Sequence, residues 1–404
     1  MFTLIPRPAY LQRIHQFRDT DIVKVLTGIR RCGKSTILSL VADELRAEGI
    51  PEANIIQMNM ESGSLAEAAS SSRALYQEAL RRSAMAEGRV YFFLDEVQEV
   101  PGWERTVNAL RVDLDCDIYL TGSNAHLLSS ELATLLTGRY ISMPVYPLSF
   151  REIVDAYPGK TPQELFATYR TLGGMPFLAS IAFSRTESLS YLSDVMSSIV
   201  LRDIVSRHDF RNTEQLDRLI RYFISETGTT FSAKNLINTL REEGFEISRQ
   251  TLYTYIYAAV EAQLISRVPR FDVRGKKLLR TSEKTYVTDI GFREALFGNN
   301  GARIDIVLED IVYIELMRRG YSVCIGRNAQ QEIDFIAEQN GSRIYVQVAY
   351  LLASADTIER EFGAFRGIDD GYPRYVVTMD EIDFSQNGIR HMNIRDFLLA
   401  DDLS

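Results

Sequence analysis

Gly28-Ile29-Arg30-Arg31-Cys32-Gly33-Lys34-Ser35 matches G-x-x-x-x-G-K-[S/T] at every fixed position. The residues on either side suit this reading. Ile22-Val-Lys-Val-Leu26 is short, apolar and β-branched, as a buried parallel strand would be. Residues 36–45 repeat apolar side chains at helical spacing. A strand, a glycine-rich turn and a helix N-terminus together form an anion cradle, because free backbone N–H groups and the helix dipole point the same way. The expected nucleotide-binding set is therefore Gly28, Ile29, Arg30, Arg31, Cys32, Gly33, Lys34, Ser35 and Thr36. Lys34 would reach the β- and γ-phosphates of ATP, and the Ser35 hydroxyl would hold Mg²⁺.

Working outward, Arg89-Val-Tyr-Phe-Phe-Leu-Asp95-Glu96 is an apolar strand ending in two carboxylates, the form of a Walker B segment. Asp95 would hold Mg²⁺ through water, and Glu96 would polarise the attacking water as general base. A further strand, Asp117-Ile-Tyr-Leu-Thr-Gly-Ser123-Asn124, ends in small polar residues. Ser123 or Asn124 could orient that water, or simply cap the next helix. A helix over 126–136 and a strand over 140–146 follow, with Arg139 between them. There it is either an arginine that completes a neighbour's site in trans or an ordinary surface arginine. Strands at 54–60 and 89–96, with a helix over 64–86 between them, complete an alternation that predicts an α/β, doubly wound parallel sheet.

Bulk properties narrow the class. The chain has 404 residues, 46% of them hydrophobic and 25% charged, enough for two or three domains with real cores. Three scattered cysteines argue against a disulfide framework or a zinc site. No run approaches the length of a membrane span and no leader is visible, so the sequence reads as cytoplasmic without a membrane partner. A net charge of −9 excludes a globally basic nucleic-acid binder but leaves room for a local patch.

The segments GIRRCGKS, LDEVQ, TGSN, TGRYISMPVYPLSFREI and Gly173-Gly-Met-Pro176 resemble a prokaryotic AAA-type (AAA+) ATPase family with a C-terminal domain of unknown function. The resemblance spans nearly the whole chain. It implies a P-loop AAA+ core over 1–147 and a helical lid over 148–211. It also implies ATP and Mg²⁺ as cofactors, Ser35 and Asp95 at the metal, Glu96 and Asn124 as catalytic base and sensor, and Arg139 as trans arginine. Assembly into a homo-oligomer or with a protein partner follows from the last role. Arg202 or Arg207 could reach the phosphates from the lid.

Past the lid the pattern changes. Helices near 216–226, 232–241 and 248–264, then two short strands, predict a winged-helix domain over 212–290. Between Arg267 and Lys284 lie seven basic residues against Asp272 and Glu283. Arg267, Arg270, Arg274, Lys276, Lys277 and Arg280 are the candidate DNA contacts, although such a fold also serves packing or protein contacts. Residues 303–404 resemble the restriction-endonuclease-like PD-(D/E)xK fold, with Glu315 on a helix, Asp334 on a strand and Gln347 on the next. Ala349 stands where that pattern has lysine and Gln347 where it has a carboxylate, so nuclease activity is not expected. Together the reading is an ATP-hydrolysing ATPase acting on or with nucleic acid. Its alternative is a nucleotide-gated DNA- or protein-binding switch with little turnover.

Overall fold

The computed structural model describes residues 4–123, 136, 138–208, 210, 212–242, 244–273, 275, 277–328 and 331–403, and the side chains of 279–282 are not among them. The chain forms two compact units. One is Met1–Tyr146, with Glu261–Gln263 grouped to it; the other is Pro147–Val260 with Leu264–Ser404.

The first unit is built on five parallel strands: β1 (Val23–Thr27), β2 (Ile55–Asn59), β3 (Val90–Asp95), β4 (Cys116–Gly122) and β5 (Tyr140–Pro144). Their order in the sheet is β2-β3-β4-β1-β5. Every residue of β1 and β3 is buried, which is why both read as largely apolar runs; the edge strand β2 exposes Gln57 and Asn59. One polar residue breaks the run in β1. Lys24 is wholly buried and pairs with the Asp117 carboxylate of β4, which also accepts from the Tyr119 hydroxyl at 2.8 Å. The order matters for function, because β4 lies between β1, which leads into the P-loop, and β3, which ends in the two carboxylates.

The helix expected over 64–86 is shorter than the alanine content suggests. Two 3-10 turns precede it, and the helix itself is Ser72–Ser83. Ser71 sets its start, since its backbone is extended and its side-chain hydroxyl accepts the Ala74 N–H. The expected helix over 126–136, and with it Asn124, lies almost wholly outside the described residues.

The second unit opens with helices at Phe150–Ala156, Pro162–Leu172 and Arg185–Ser198, the last running on as a π-helical turn over Ile199–Val205. Ser149 and Thr161 begin the first two as reciprocal capping boxes with Glu152 and Glu164. Arg207 lies 3.8 Å from Asp203, one turn back. Gly173 and Gly174 meet a packing demand. A side chain on Gly173 would run into the Asp289 carboxylate, and one on Gly174 would sit 2.2 Å from the Leu148 carbonyl. Asp289 accepts the N–H groups of Gly174 and Gly291, each at 2.8 Å.

Three helices follow, Thr213–Ser225, Ala233–Glu242 and Arg249–Glu261, then a hairpin of β6 (Ile265–Asp272) and β7 (Lys277–Val287). This hairpin is also the edge of a larger sheet. β8 (Ser322–Asn328) pairs parallel with β6, and the mixed seven-stranded order is β12-β11-β10-β9-β8-β6-β7. The remaining strands are β9 (Gln331–Gln339), β10 (Ser342–Val348), β11 (Arg374–Thr378) and β12 (Arg390–Asn393). Helix Ile304–Arg318 is buried along most of its length.

Within that helix Asp310 is fully buried and accepts from the Thr227 hydroxyl and the Val287 N–H. Burial pushes its carboxyl up to about 8, opposed by those donors and reinforced by the charges of Asp289 and Glu309. In the unfolded chain it ionises near 4. Between about pH 4 and pH 8 the folded chain therefore holds a proton that the unfolded chain has lost, and stability falls as pH rises. Asp310→Asn keeps the acceptor and removes the titration. Its melting temperature should fall less between pH 5 and pH 8 than that of the parent chain, as differential scanning calorimetry would show. Parallel pH profiles would show that Asp310 is not the titrating group.

Candidate functional site

The loop between β1 and helix Lys34–Ala47 is shaped by two left-handed residues, Arg31 at φ 66° and Gly33 at φ 103°. Together they fold the backbone over the helix N-terminus, where N–H groups lack partners within the helix. Gly28 is required by space. A side chain there would lie 2.4 Å from the Val145 carbonyl and 2.6 Å from the Cys32 sulfur. Cys32 is buried, as a loop-packing residue rather than a reactive one. Ile29 is buried beside it, while Thr36 opens the first helical turn. Arg30 turns away to Glu61, 3.2 Å distant.

Lys34 is buried, and its ammonium donates to the carbonyls of Gly28 at 2.9 Å and Ile29 at 3.3 Å. It also lies 3.8 Å from Glu96 Oε1. Ser35 Oγ is 3.0 Å from Asp95 Oδ1. The same carboxylate accepts from Thr121 Oγ1 and, through Oδ2, from Asn59 Nδ2 at 3.0 Å. Burial raises the Asp95 carboxyl; donation from Thr121 and Ser35 opposes this, the Glu96 charge adds to it, and the net direction is upward. A buried carboxylate in that state favours a cation alongside it. The hydroxyl and carboxylate oxygens of Ser35 and Asp95 are the hard donors that Mg²⁺ takes, so these residues fit the ion.

Glu96 stands apart from its neighbour by backbone geometry. Its φ of 52° turns it off the strand axis, and its N–H donates to Thr121 Oγ1 at 2.9 Å. Its Oε2 accepts from Ser123 Oγ at 3.1 Å and from Gln98. Burial pushes this carboxyl up, but Lys34 first, then Gln98, Arg30 and Ser123, hold it below the ordinary range. Two adjacent carboxyls thus lean in opposite directions, Asp95 upward and Glu96 downward.

Arg139 is elsewhere. Its carbonyl accepts the Val23 N–H at the amino end of β1, and its half-exposed guanidinium is 3.6 Å from Asp21, which Arg111 also holds. The P-loop leaves the other end of that strand, roughly 16 Å away for five residues. Ser123, of the pair read as alternatives, does reach Glu96; Asn124 lies outside the described residues. Thr121, Asn59 and Arg7 were not assigned site roles from the sequence. The Arg7 guanidinium, itself buried, donates to the carbonyls of Cys32 at 3.2 Å and Tyr146 at 2.8 Å, and so braces the loop from behind.

The second unit holds a separate polar cluster. Lys284 on β7 places its buried ammonium 2.7 Å from Glu309, 2.6 Å from Glu332 and 3.7 Å from Asp334. Burial works against its charge, yet Glu309, Asp334 and Glu332 more than offset this and hold it above the ordinary lysine range. Burial, with the Glu309 charge next, drives Asp334 well up; Lys284 and the Val348 N–H oppose it. Gln347 Oε1 accepts the Asp334 N–H at 3.2 Å. Glu315 is not in this group: it pairs with Arg318 and Arg319 on its own helix. The helical carboxylate that faces the cluster is Glu309, six residues earlier. Among the described residues no set of acidic, histidine or cysteine side chains forms a metal-holding group.

The basic count of the hairpin also changes on inspection. Arg267 pairs with Glu283, and Arg270 is 2.6 Å from Glu332. Lys284 is buried among its carboxylates, and Lys277 is exposed. Arg274 and Lys276, and the side chain of Arg280, lie outside the description. A sum over the sequence missed the two carboxylates, Glu309 and Glu332, that neutralise this segment from other elements.

With this geometry the comparisons agree. A family model described as an AAA domain matches residues 20–154, and one described as a domain of unknown function matches residues 163–303. The chain is 37% identical over 403 residues to an uncharacterized protein of Haemophilus influenzae, covering 98% of this chain and 99% of that one. It is 27% identical to an uncharacterized protein of Methanocaldococcus jannaschii, over 94% of this chain and 87% of that one. Among solved structures, the Walker-type ATPase of Pyrococcus abyssi superposes with a TM-score of 0.50 at 15% identity, over 72% of this chain and 95% of that one. That likeness is one of fold. The chain belongs to the family of the Haemophilus protein, with an AAA-type P-loop ATPase domain at its N-terminal end. Among the described residues no helix is long and apolar enough to cross a membrane.

Proposed function

We propose that this chain binds and hydrolyses ATP at the Lys34–Glu96 site and works on nucleic acid through its second unit. The observation that carries the first half is the joint placement of Ser35 and Asp95, 3.0 Å apart, with Glu96 beside Lys34. Mg²⁺ held by Ser35 and Asp95 would neutralise charge on the β- and γ-phosphates. Lys34 exchanges its loop carbonyls for phosphate oxygens. Glu96, kept ionised by Lys34 and oriented by Ser123 and Gln98, accepts the proton of the attacking water. Ser123, just past the end of β4, holds this base, and Asn124 is assigned the sensor role beside it.

In this reading the AAA+ core is 1–147 and residues 148–211 are its lid. Residues 212–290 are a winged helix, with Arg249–Glu261 as the third helix and β6–β7 as the wing. Residues 303–404 keep a PD-(D/E)xK-like fold without cleavage. Support for the last point is chemical: Ala349 leaves the usual lysine position empty of charge, and Lys284 is locked among carboxylates.

The position of Arg139 favours a second reading for the lone chain. Sitting at the far end of β1 from its own P-loop, it would serve only a neighbour's nucleotide, so a single copy would hold ATP and turn it over slowly. Arg139→Ala tests the assignment. The expected result is tight Mg²⁺-dependent binding of a fluorescent ATP analogue, with turnover at high protein concentration reduced at least tenfold, in line with the cost of losing a trans arginine. Unchanged turnover would make Arg139 an ordinary partner of Asp21.

A further inference from the structure

The second unit contains a cavity of about 560 Å³ between helices Ala233–Glu242 and Arg249–Glu261 and the hairpin. Lys234, Arg249 and Arg267 line it against a single acid, Glu283. Such a balance is notable in a chain of net charge −9. Lys234 and Arg249 are exposed and have no ion-pair partner among the described residues, unlike Arg270 and Lys284. Tyr253, half-buried in the wall, has the Arg249 guanidinium 5.6 Å and the Arg267 guanidinium 5.8 Å from its ring centre. The ring fixes both cations without consuming their hydrogen bonds. Both helices also start here. Ser232 accepts the Asn235 N–H and Ser248 the Thr251 N–H, and the residues that follow these caps are the ones lining the cavity. Tyr257, one turn beyond Tyr253 on the same helix, is 60% exposed.

We infer that this groove takes the sugar–phosphate backbone of a nucleic-acid strand, with Lys234 and Arg249 on phosphates and Tyr257 against a sugar or base. One helix face carries Arg249, Tyr253 and Tyr257 in succession, with Lys234 on the neighbouring helix, and this set suits such a ligand: the cations meet phosphates and the rings meet flat surfaces. The inference rests on the nucleic-acid reading above and moves its contact from the strands of the hairpin to the helix starts. Arg267, already paired with Glu283, shapes the groove more than it binds.

The test is fluorescence anisotropy of a labelled DNA duplex and a labelled single strand with the full chain, as salt is raised. The double variant Lys234→Glu, Arg249→Glu should weaken binding at least tenfold and flatten the log–log salt dependence by about two, one for each lost phosphate contact. Lys277→Glu on the hairpin should change it far less. Lys234→Arg with Arg249→Lys should retain binding, which guards against a folding artefact, as should an unchanged circular-dichroism spectrum of the charge-reversed variant. DNA bound equally by the parent and the double variant would overturn the groove and leave the nucleic-acid reading standing. DNA not bound by the parent, even at low salt, would overturn both, with the ATPase assignment untouched.

Discussion

Glu96→Gln should lower ATP turnover by at least about 100-fold, the lower bound for loss of a general base, while ATP still binds within a few-fold of the parent. The change is isosteric. It leaves the backbone turn at Glu96 and the Thr121 contact in place, and the new amide can still accept from Ser123. What disappears is a basic oxygen for the proton of the attacking water. In the proposed mechanism Glu96, rather than Asp95, is the base. Asp95 is committed to Ser35, Thr121 and Asn59, and burial with the Glu96 charge holds its proton affinity up. Glu96 leans the other way because Lys34 faces it. Rapid-quench assays would show ATP retained unhydrolysed on the variant. Turnover within threefold of the parent would remove Glu96 from the chemistry.

The second large effect concerns stability. Lys284→Ala should cost about 3–5 kcal/mol, the penalty for leaving a buried ionic partner unmatched. Here one ammonium answers Glu309, Glu332 and Asp334 at once. Arg270 still reaches Glu332, so the penalty falls mainly on Glu309 and Asp334. The pH dependence is diagnostic. Without Lys284 the Asp334 carboxyl, already driven up by burial, titrates higher still, so lowering the pH protonates it in the folded state and returns part of the loss. The only tryptophan, Trp103, is buried in the first unit. Urea unfolding followed by circular dichroism should therefore shift more than unfolding followed by Trp103 fluorescence. A loss under 1 kcal/mol, or one independent of pH, would mean the cluster is not a tightly coupled ionic group.

What the sequence disclosed divides along a physical line. The P-loop, Asp95 and Glu96 were legible because their chemistry lies within contiguous stretches whose flanks also declare strand and helix. Thr121 and Asn59 were not, because they reach Asp95 across strand neighbours, and nothing in β2 or β4 taken alone says which strands they face. The end of β4 was recognised as polar and well placed; the strand order explains why its threonine as well as its serine reaches the site. The second unit was harder. A search for lysine at 349 and glutamate at 315 followed spacing along one segment, whereas the ammonium that fills this region comes from β7 and the carboxylate from position 309. Counting charge from 267 to 284 failed similarly, since partners from β9 and the helix at 304–318 cancel part of it. Arg249 and Lys234, which line the cavity, fell outside that window.

The account stands on ATP hydrolysis at Lys34, and the measurement that tests it most directly is steady-state phosphate release from Mg²⁺-ATP by the parent chain and by Lys34→Ala. Lys34 is a buried cation that touches both the loop carbonyls and Glu96. The parent should release phosphate in repeated turnovers that chelation of Mg²⁺ stops, and Lys34→Ala should fall to background. Turnover that survives Lys34→Ala, or a parent that releases no phosphate as its concentration is raised, would contradict the account.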